Sequence, residues 1–208
     1  MAEATNIPVA SEHEQTSTGL NHRKLLMWAF LGSDCMFFGS LIATLLIYRG
    51  KNLIGPTEEL LDIPITSIST FVLLMSSVAM VLALAAIKRG DIKGLRLWLV
   101  CTALLGSLFI GFQMYEFTVF AHEGLTPRTN LFGSTFLTLT GFHGAHVTIG
   151  IIWLWSLTFA SFKGKVRQDT SLDVELAGLY WHFVDIVWIV IFTVVYLIGA
   201  MGAESISH

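Results

Sequence analysis

The sequence predicts an all-α integral membrane bundle of five transmembrane helices. Hydrophobic residues make up 54% of the 208-residue chain and charged residues only 13%, whereas an ordinary soluble domain carries about 25% charge. The mean hydropathy is +0.69. Five apolar runs each reach the roughly 20 residues that a helix needs to cross about 30 Å of hydrocarbon. All four prolines lie outside these runs, where a missing N–H does no harm.

Polar or proline-containing segments separate the five runs. Residues 1–21 are polar and are predicted to form a flexible tail without a signal peptide. The loops at 49–65 and 122–131 contain prolines, and short basic segments separate the other runs. The last two runs exceed the minimum length, which allows the helices to tilt. Residues 22–208 are predicted to form a single domain, with helices at about 25–48, 66–87, 95–121, 132–162 and 174–201.

Basic residues are distributed unequally over the two sides of the membrane. Nine of the twelve lie in the N-terminal flank and in the loops after the second and fourth helices. Cytoplasmic loops are enriched in Lys and Arg, so the N-terminus is predicted to be cytoplasmic and the C-terminus outside. The nine are Arg23, Lys24, Lys88, Arg89, Lys93, Arg96, Lys163, Lys165 and Arg167, and the other three are Arg49, Lys51 and Arg128.

The net charge argues against one class of partner, and the positions of the two cysteines indicate their role. A net charge of -3 and the lack of a basic cluster argue against a nucleic-acid partner. Cys35 and Cys101 both fall within predicted helices, where cysteine usually packs as a small apolar side chain. A structural role is therefore expected for both.

Seven polar side chains lie within the predicted spans, and Glu175 stands beside them at the entry of the fifth helix. An ionisable group there costs roughly 2.5–3.5 kcal/mol and usually faces inward with a partner. At about 1.5 Å per residue, most of the seven share a layer near the middle of the bilayer. We therefore predict a polar network that holds the first, fourth and fifth helices in register. Its members are Asp34, His143, His146, Glu175 (at the entry of the fifth helix), His182 and Asp185, while Gln113 and Glu116 are the other intramembrane polar residues.

The residue pattern leaves several roles open for this network. Haem ligation, metal binding, proton handling and helix packing each use residues of these types. His143 and His146 lie on one helix and cannot sandwich an iron, because paired haem ligands come from facing helices. The His182-x-x-Asp185 pair is a weak metal motif by itself.

Glycines and aromatic residues indicate how the last two helices pack. Small residues let helix backbones approach closely, so Gly141, Gly144 and Gly150 predict a close contact of the fourth helix. The aromatic residues of the fifth helix are expected to face lipid or a partner subunit. They are Tyr180, Trp181, Phe183, Trp188 and Phe192.

Three sequence motifs resemble subunit III of haem–copper terminal oxidases, the cytochrome c and quinol oxidases. They are YWHFVDIVWIVIF at 180–192, GFHGAHVTIG at 141–150 and SDCMFFGSLIATLLIYRG at 33–50. The resemblance extends from about residue 22 to the C-terminus and is to the five-helix bacterial form. It implies that Asp34 is the family's buried carboxylate and that His143, His146, Glu175, His182 and Asp185 occupy its other polar positions.

The resemblance also implies a function. In this family, subunit III binds no haem and no copper, which belong to subunits I and II, and the donor, cytochrome c or quinol, is not encoded in this chain. The chain is therefore expected to be an accessory, non-catalytic subunit in a bacterial plasma membrane. Its partners would be subunits I and II and structural phospholipids, and it would support sustained proton uptake.

Two alternatives come from other classes of protein. A membrane anchor carrying haem b would itself transfer electrons. A small secondary transporter would use the buried acids for ion coupling, but no span has the Gly/Pro-interrupted middle of discontinuous transport helices.

Overall fold

Five long helices make up the computed structural model, which describes residues 21–48, 62–166 and 171–197. All five are long and apolar enough to cross a membrane, and the described residues contain no β-strand. The predicted all-α fold is therefore confirmed. The helices are α1 (His22–Tyr48), α2 (Ile63–Lys88), α3 (Ile92–His122), α4 (Leu131–Phe162) and α5 (Ser171–Ile191), with α5 continuing as a π-helical segment, Phe192–Leu197.

The predicted helix bounds are close to those of the structure. Each helix begins one to three residues before its predicted start, and the described ends differ by at most one residue. Residues 1–20 of the predicted tail, residues 49–61 of the predicted loop and residues 198–201 of the predicted fifth helix lie outside the described residues.

Local capping explains why three helices begin where they do. The side chains of Asp62, Asp91 and Asn130 accept hydrogen bonds from backbone N–H groups at 3.2, 2.9 and 2.6 Å. Short polar side chains at this position satisfy donors that the first helical turn leaves without a partner. A short polar residue therefore precedes the apolar sequence of each of these three helices and fixes where the helix begins.

Three glycines with left-handed backbones end α2, α3 and α4. Gly90, Gly124 and Gly164 have φ values of 77°, 82° and 70°, a region that glycine adopts without steric cost. After each glycine, the next N–H donates back to a carbonyl five residues earlier, for example Leu125 N to Phe120 O at 2.8 Å. These are the bonds of a Schellman C-cap.

α5 is the most buried helix and packs against α1, α2 and α4. Trp181 and Trp188 are each only 1% exposed, and Tyr180 and Phe183 are also buried. The expectation that the aromatic residues of this helix face lipid or a partner was therefore wrong for these four. A tryptophan can be buried once its N–H finds a partner, and both indoles find a hydroxyl group on α2.

α1 lies at the edge of the bundle. Only Leu31, Phe38 and Leu45 of this helix are buried, and it contacts α4 and α5. Cys35, which was expected to pack inside, is exposed on α1, and Cys101 on α3 is half-buried. Most of α1 is thus available to lipid or to another protein.

Candidate functional site

Asp34 and His146 form a polar pair between α1 and α4. Asp34 Oδ2 lies 3.6 Å from His146 Nε2, and their side chains are 13% and 17% exposed. His146 Nδ1 lies 2.8 Å from the Phe142 carbonyl, which can only accept, so Nδ1 carries a proton. Nε2 is the ring atom that faces Asp34, and Asp34 Oδ2 is buried without a hydrogen-bond partner among the described residues. The pair thus lies half-buried between α1 and α4 at the edge of the bundle.

Tyr180 connects this pair to α5. Its hydroxyl group donates to the His146 carbonyl at 2.9 Å, and its ring stacks against Phe30 of α1 with centroids 6.4 Å apart. The pair between α1 and α4 is therefore held from the side of α5 as well.

His182 and Asp185 meet α2 rather than α1 or α4. His182 Nδ1 lies 2.6 Å from the Ser77 hydroxyl oxygen, and the Asp185 carboxyl group lies beside the same residue, with its Oδ1 buried and without a hydrogen-bond partner among the described residues. A hydroxyl group can accept one hydrogen bond while it donates another. Ser77 therefore bonds to the imidazole while its hydroxyl group keeps the capacity for a second bond on the side of Asp185, so both side chains of α5 face one residue of α2.

The two buried tryptophans of α5 also bond to α2. Trp181 Nε1 donates to Ser76 Oγ at 3.0 Å, and Trp188 Nε1 donates to Thr70 Oγ1 at 2.9 Å. With Ser77, these contacts place hydroxyl groups of α2 against two turns of α5. The contacts of α2 with α5 were not predicted, because serine and threonine residues in a helix do not by themselves form a recognisable motif. The available signal was that Thr70 and Ser77 of α2 lie seven residues, or about two turns, apart, as Trp181 and Trp188 of α5 do.

His143 has no hydrogen-bond partner at either ring nitrogen among the described residues. The residue is fully buried, and its ring stacks on Trp188 with centroids 4.9 Å apart. The rings of Phe109 and Phe38 approach it edge-on at 6.0 and 6.4 Å. His143 therefore packs as an aromatic ring, apart from the Asp34–His146 pair.

Glu175 lies at one end of the bundle, in an ion pair with Lys24 of α1 at 2.5 Å. Next to it, Arg23 pairs with Asp173 at 2.6 Å. Both pairs join the start of α1 to the start of α5. Since these side chains are partly exposed, each pair contributes about 1 kcal/mol or less.

Two further polar contacts join α3 to its neighbours. Glu116 is buried and accepts a hydrogen bond from Thr66 of α2. Gln113 donates from Nε2 to the Thr140 carbonyl of α4 at 2.8 Å. Among the described residues, no group of three or more His, Cys, Asp and Glu side chains is arranged to hold a metal ion.

The six residues of the predicted network thus belong to separate contacts. Asp34 and His146 join α1 to α4, Glu175 joins α5 to α1, and His182 and Asp185 join α5 to α2. His143 lies among aromatic rings between them. The functional role of these residues stays a prediction.

His143 and His182 are expected to respond differently to replacement by phenylalanine. Replacing His143 by phenylalanine is expected to leave the thermal stability of the purified protein unchanged or to raise it slightly. The substitution removes two buried nitrogens that lack partners, and such groups cost about 1–3 kcal/mol. The matched variant His182→Phe removes the bond to Ser77 and is expected to lower the melting temperature. An equal loss of melting temperature in both variants would show that the ring nitrogens of His143 form hydrogen bonds in the protein.

Five apolar helices whose buried polar side chains bond to neighbouring helices define a multi-pass integral membrane protein. The model of the family described as cytochrome c oxidase subunit III matches residues 12–200. The chain belongs to this family.

Relatives match over nearly the whole chain. Cytochrome c oxidase subunit 3 of Bacillus sp. (strain PS3) is 41% identical over 200 residues, which is 96% of each chain. Cytochrome c oxidase subunit 3 of Bacillus subtilis (strain 168) is 42% identical over 195 residues, 93% of this chain and 94% of the relative. Quinol oxidase subunit 3 of the same organism is 38% identical over 202 residues, 97% of this chain and 98% of the relative.

The family establishes the general function. The chain is an accessory subunit of a haem–copper terminal oxidase and a multi-pass protein of the bacterial plasma membrane. Nothing in these relatives supports the alternative of an anchor carrying haem b. Relatives named for both cytochrome c and quinol are found at similar identity, so the similarity does not select between the two donors.

Proposed function

We propose that this chain braces the haem- and copper-bearing subunits of its oxidase and helps to keep proton uptake intact during turnover. Its partners are subunits I and II and structural phospholipids, and haem and copper are held by the partner subunits. The observation that supports bracing is the set of buried bonds from α5 to α2, made by Trp181, His182 and Trp188. They give the bundle a rigid centre, which a supporting subunit needs.

The support for proton uptake comes from the Asp34–His146 pair. It joins a carboxylate and an imidazole between two transmembrane helices, and chains of such groups form proton paths inside membrane proteins. Residues 22–208 act as one domain in this proposal. The topology is the one that the basic residues indicate, with the N-terminus in the cytoplasm.

Purification of the tagged chain from its native membranes tests the proposal. We expect a haem-bearing subunit to be recovered with it, and an optical spectrum of the complex with a Soret band. After dissociation, the isolated chain should show no Soret band. A Soret band in the isolated chain, or recovery without any haem-bearing subunit, would disprove the proposal.

Replacing Asp185 by alanine is expected to loosen the subunit before it affects oxygen chemistry. The change removes the buried carboxyl group that lies beside Ser77, the residue to which His182 bonds, and leaves a gap between α5 and α2. Breaking a buried polar pair costs about 3–5 kcal/mol in favourable cases, but hydrogen bonds in membranes average about 0.6 kcal/mol. We expect a loss of about 1 kcal/mol, measured as a lower melting temperature and lower occupancy of the subunit in the purified oxidase.

Asp173→Ala is the matched control for that variant. Asp173 also lies on α5, but it is partly exposed and pairs with Arg23 near the start of the helix. Its replacement should change stability little, because exposed ion pairs contribute little. Full occupancy and an unchanged melting temperature in the Asp185→Ala oxidase would contradict the bracing role of Asp185.

A further inference from the structure

A groove with a volume of about 200 Å³ runs between α3 and α4 on the outer surface of the bundle. Three small residues of α4, Gly141, Ala145 and Thr148, line it at helical spacing. A Cβ atom on Gly141 would meet no atom within 4 Å, so the groove is open there. Small residues at this spacing allow the backbone of another helix to approach closely.

Gln113 supplies a second, independent observation in this groove. Its side chain lines the groove, is only 5% exposed, and has no hydrogen-bond partner at Oε1 among the described residues. Its Nε2 faces the Thr140 carbonyl at 2.8 Å, and a flipped amide would bring two oxygens together there. The amide orientation is therefore fixed, which leaves Oε1 as an acceptor that lacks a donor.

The acceptor lies against α4. A Cβ atom on Gly144 would be 2.9 Å from Oε1, so Gln113 packs against the bare backbone of Gly144, and both residues line the groove. Larger side chains, such as Met114, form the opposite wall. A small donor that enters the groove over Gly144 would therefore meet Gln113.

Depth in the membrane selects the kind of donor. Gln113 is nine residues before the end of α3 at His122, or about 14 Å along the helix. The 31-residue helix is about 46 Å long, against about 30 Å of hydrocarbon. Gln113 therefore lies within the hydrocarbon layer. Acyl chains cannot donate a hydrogen bond there, whereas side chains of another transmembrane helix can.

We propose that the groove between α3 and α4 is the surface on which a transmembrane helix of the haem-bearing subunit docks. This helix presents a hydroxyl, amide or indole donor to Gln113 Oε1 and packs its backbone against the small residues of α4. The inference rests on the proposed function, since it assigns the surface by which the chain braces its catalytic partner.

Substitution of Gly141 by leucine in the intact oxidase tests the docking surface. The new side chain fills the groove without meeting an atom of its own chain within 4 Å of its Cβ, so the subunit should fold. We expect recovery of the haem-bearing subunit with the tagged chain to fall about tenfold, the size of effect that overpacking produces at a close contact.

Gly111→Leu is the matched control. Gly111 is an exposed glycine of α3 whose Cβ would also meet no atom within 4 Å, and it does not line the groove. The control should recover the haem-bearing subunit as the unaltered chain does. Equal recovery with the two variants, whether high or low, would overturn the assignment of this surface.

Photocrosslinking from position 145 identifies the occupant directly. A photoreactive amino acid in place of Ala145, activated in native membranes, should form an adduct with a peptide of the haem-bearing subunit. An adduct with phospholipid alone would overturn the inference. After such a lipid adduct, co-purification of the unaltered chain with haem would leave the proposed function standing and reject only the docking surface. Without co-purification, the proposed function and the docking surface both fail.

Discussion

Replacing Gly106 by alanine is expected to destabilise the bundle by about 1–3 kcal/mol, the usual cost of overpacking a tight core. The new Cβ would lie 2.5 and 2.8 Å from Cη2 and Cζ2 of Trp181 and 3.3 Å from Cγ1 of Ile151. Distances below 3 Å between carbon atoms require one of them to move. Replacing Gly150 by alanine should act in the same way, because its Cβ would be 2.9 Å from the opposite edge of the same indole ring.

The indole ring cannot move aside easily. Trp181 is 1% exposed, lies between Gly106 of α3 and Gly150 of α4, and donates from Nε1 to Ser76 of α2. A shift away from either glycine would press the ring against the other one or break the bond to Ser76. Side chains in a close-packed interior transmit such strain to their neighbours. One residue of α5 therefore sets the distances between three other helices.

Gly111→Ala is the control for this prediction. Gly111 lies on α3 like Gly106, but its Cβ would meet no atom within 4 Å. Alanine is a better helix former than glycine by about 1 kcal/mol in water, so this control should be neutral or slightly stabilising. Thermal unfolding of the detergent-solubilised oxidase measures both variants. Equal melting temperatures for Gly106→Ala and Gly111→Ala would contradict the close packing at Trp181.

If the Gly106→Ala subunit does not accumulate, a second variant keeps the test decisive. Combining Gly106→Ala with Trp181→Phe shortens the ring that the new methyl group meets, although it removes the bond to Ser76. We expect this double variant to accumulate better than Gly106→Ala alone. Accumulation no better than that of the single variant would argue against a clash with the indole.

The helices were predictable from the sequence because length, hydropathy and turn residues act locally. An apolar run must be long enough to cross the hydrocarbon, and Asp62, Asp91 and Asn130 cap the helices that follow them. The neighbours of each helix were not predictable in this way. His182 and Asp185 were expected to meet α1 and α4, but His182 bonds to Ser77 of α2 and Asp185 lies beside the same serine, since equal depth in a membrane does not select a partner.

The two histidines of α4 show where periodicity fails for the candidate site. His143 and His146 are three residues apart and were predicted to act together, because such residues are neighbours on a helix surface. They still differ by about 60° in direction at 3.6 residues per turn. This angle is enough to point His146 toward Asp34 and His143 into the aromatic rings around Trp188.

Replacing Asp34 by asparagine is expected to leave assembly normal and to shorten the working life of the oxidase. Asparagine keeps the size of the side chain and can still approach His146, which lies 3.6 Å away. It carries no charge and cannot bind or release a proton at neutral pH. We expect the number of turnovers before inactivation, or the number of protons pumped per electron, to fall by about two- to tenfold, a range around the roughly fivefold change that about 1 kcal/mol of lost charge interaction produces.

Two variants separate the charge of Asp34 from its packing. Asp34→Glu keeps the carboxylate and should restore most of the working life. Asp173→Asn removes a carboxylate that already pairs with Arg23, and it should have little effect. Proton pumping is measured in vesicles over many turnovers, with the occupancy of the subunit determined in the same sample. Normal pumping by Asp34→Asn at full occupancy would leave Asp34 with a packing role, because the pair with His146 would then serve only to hold α1 against α4.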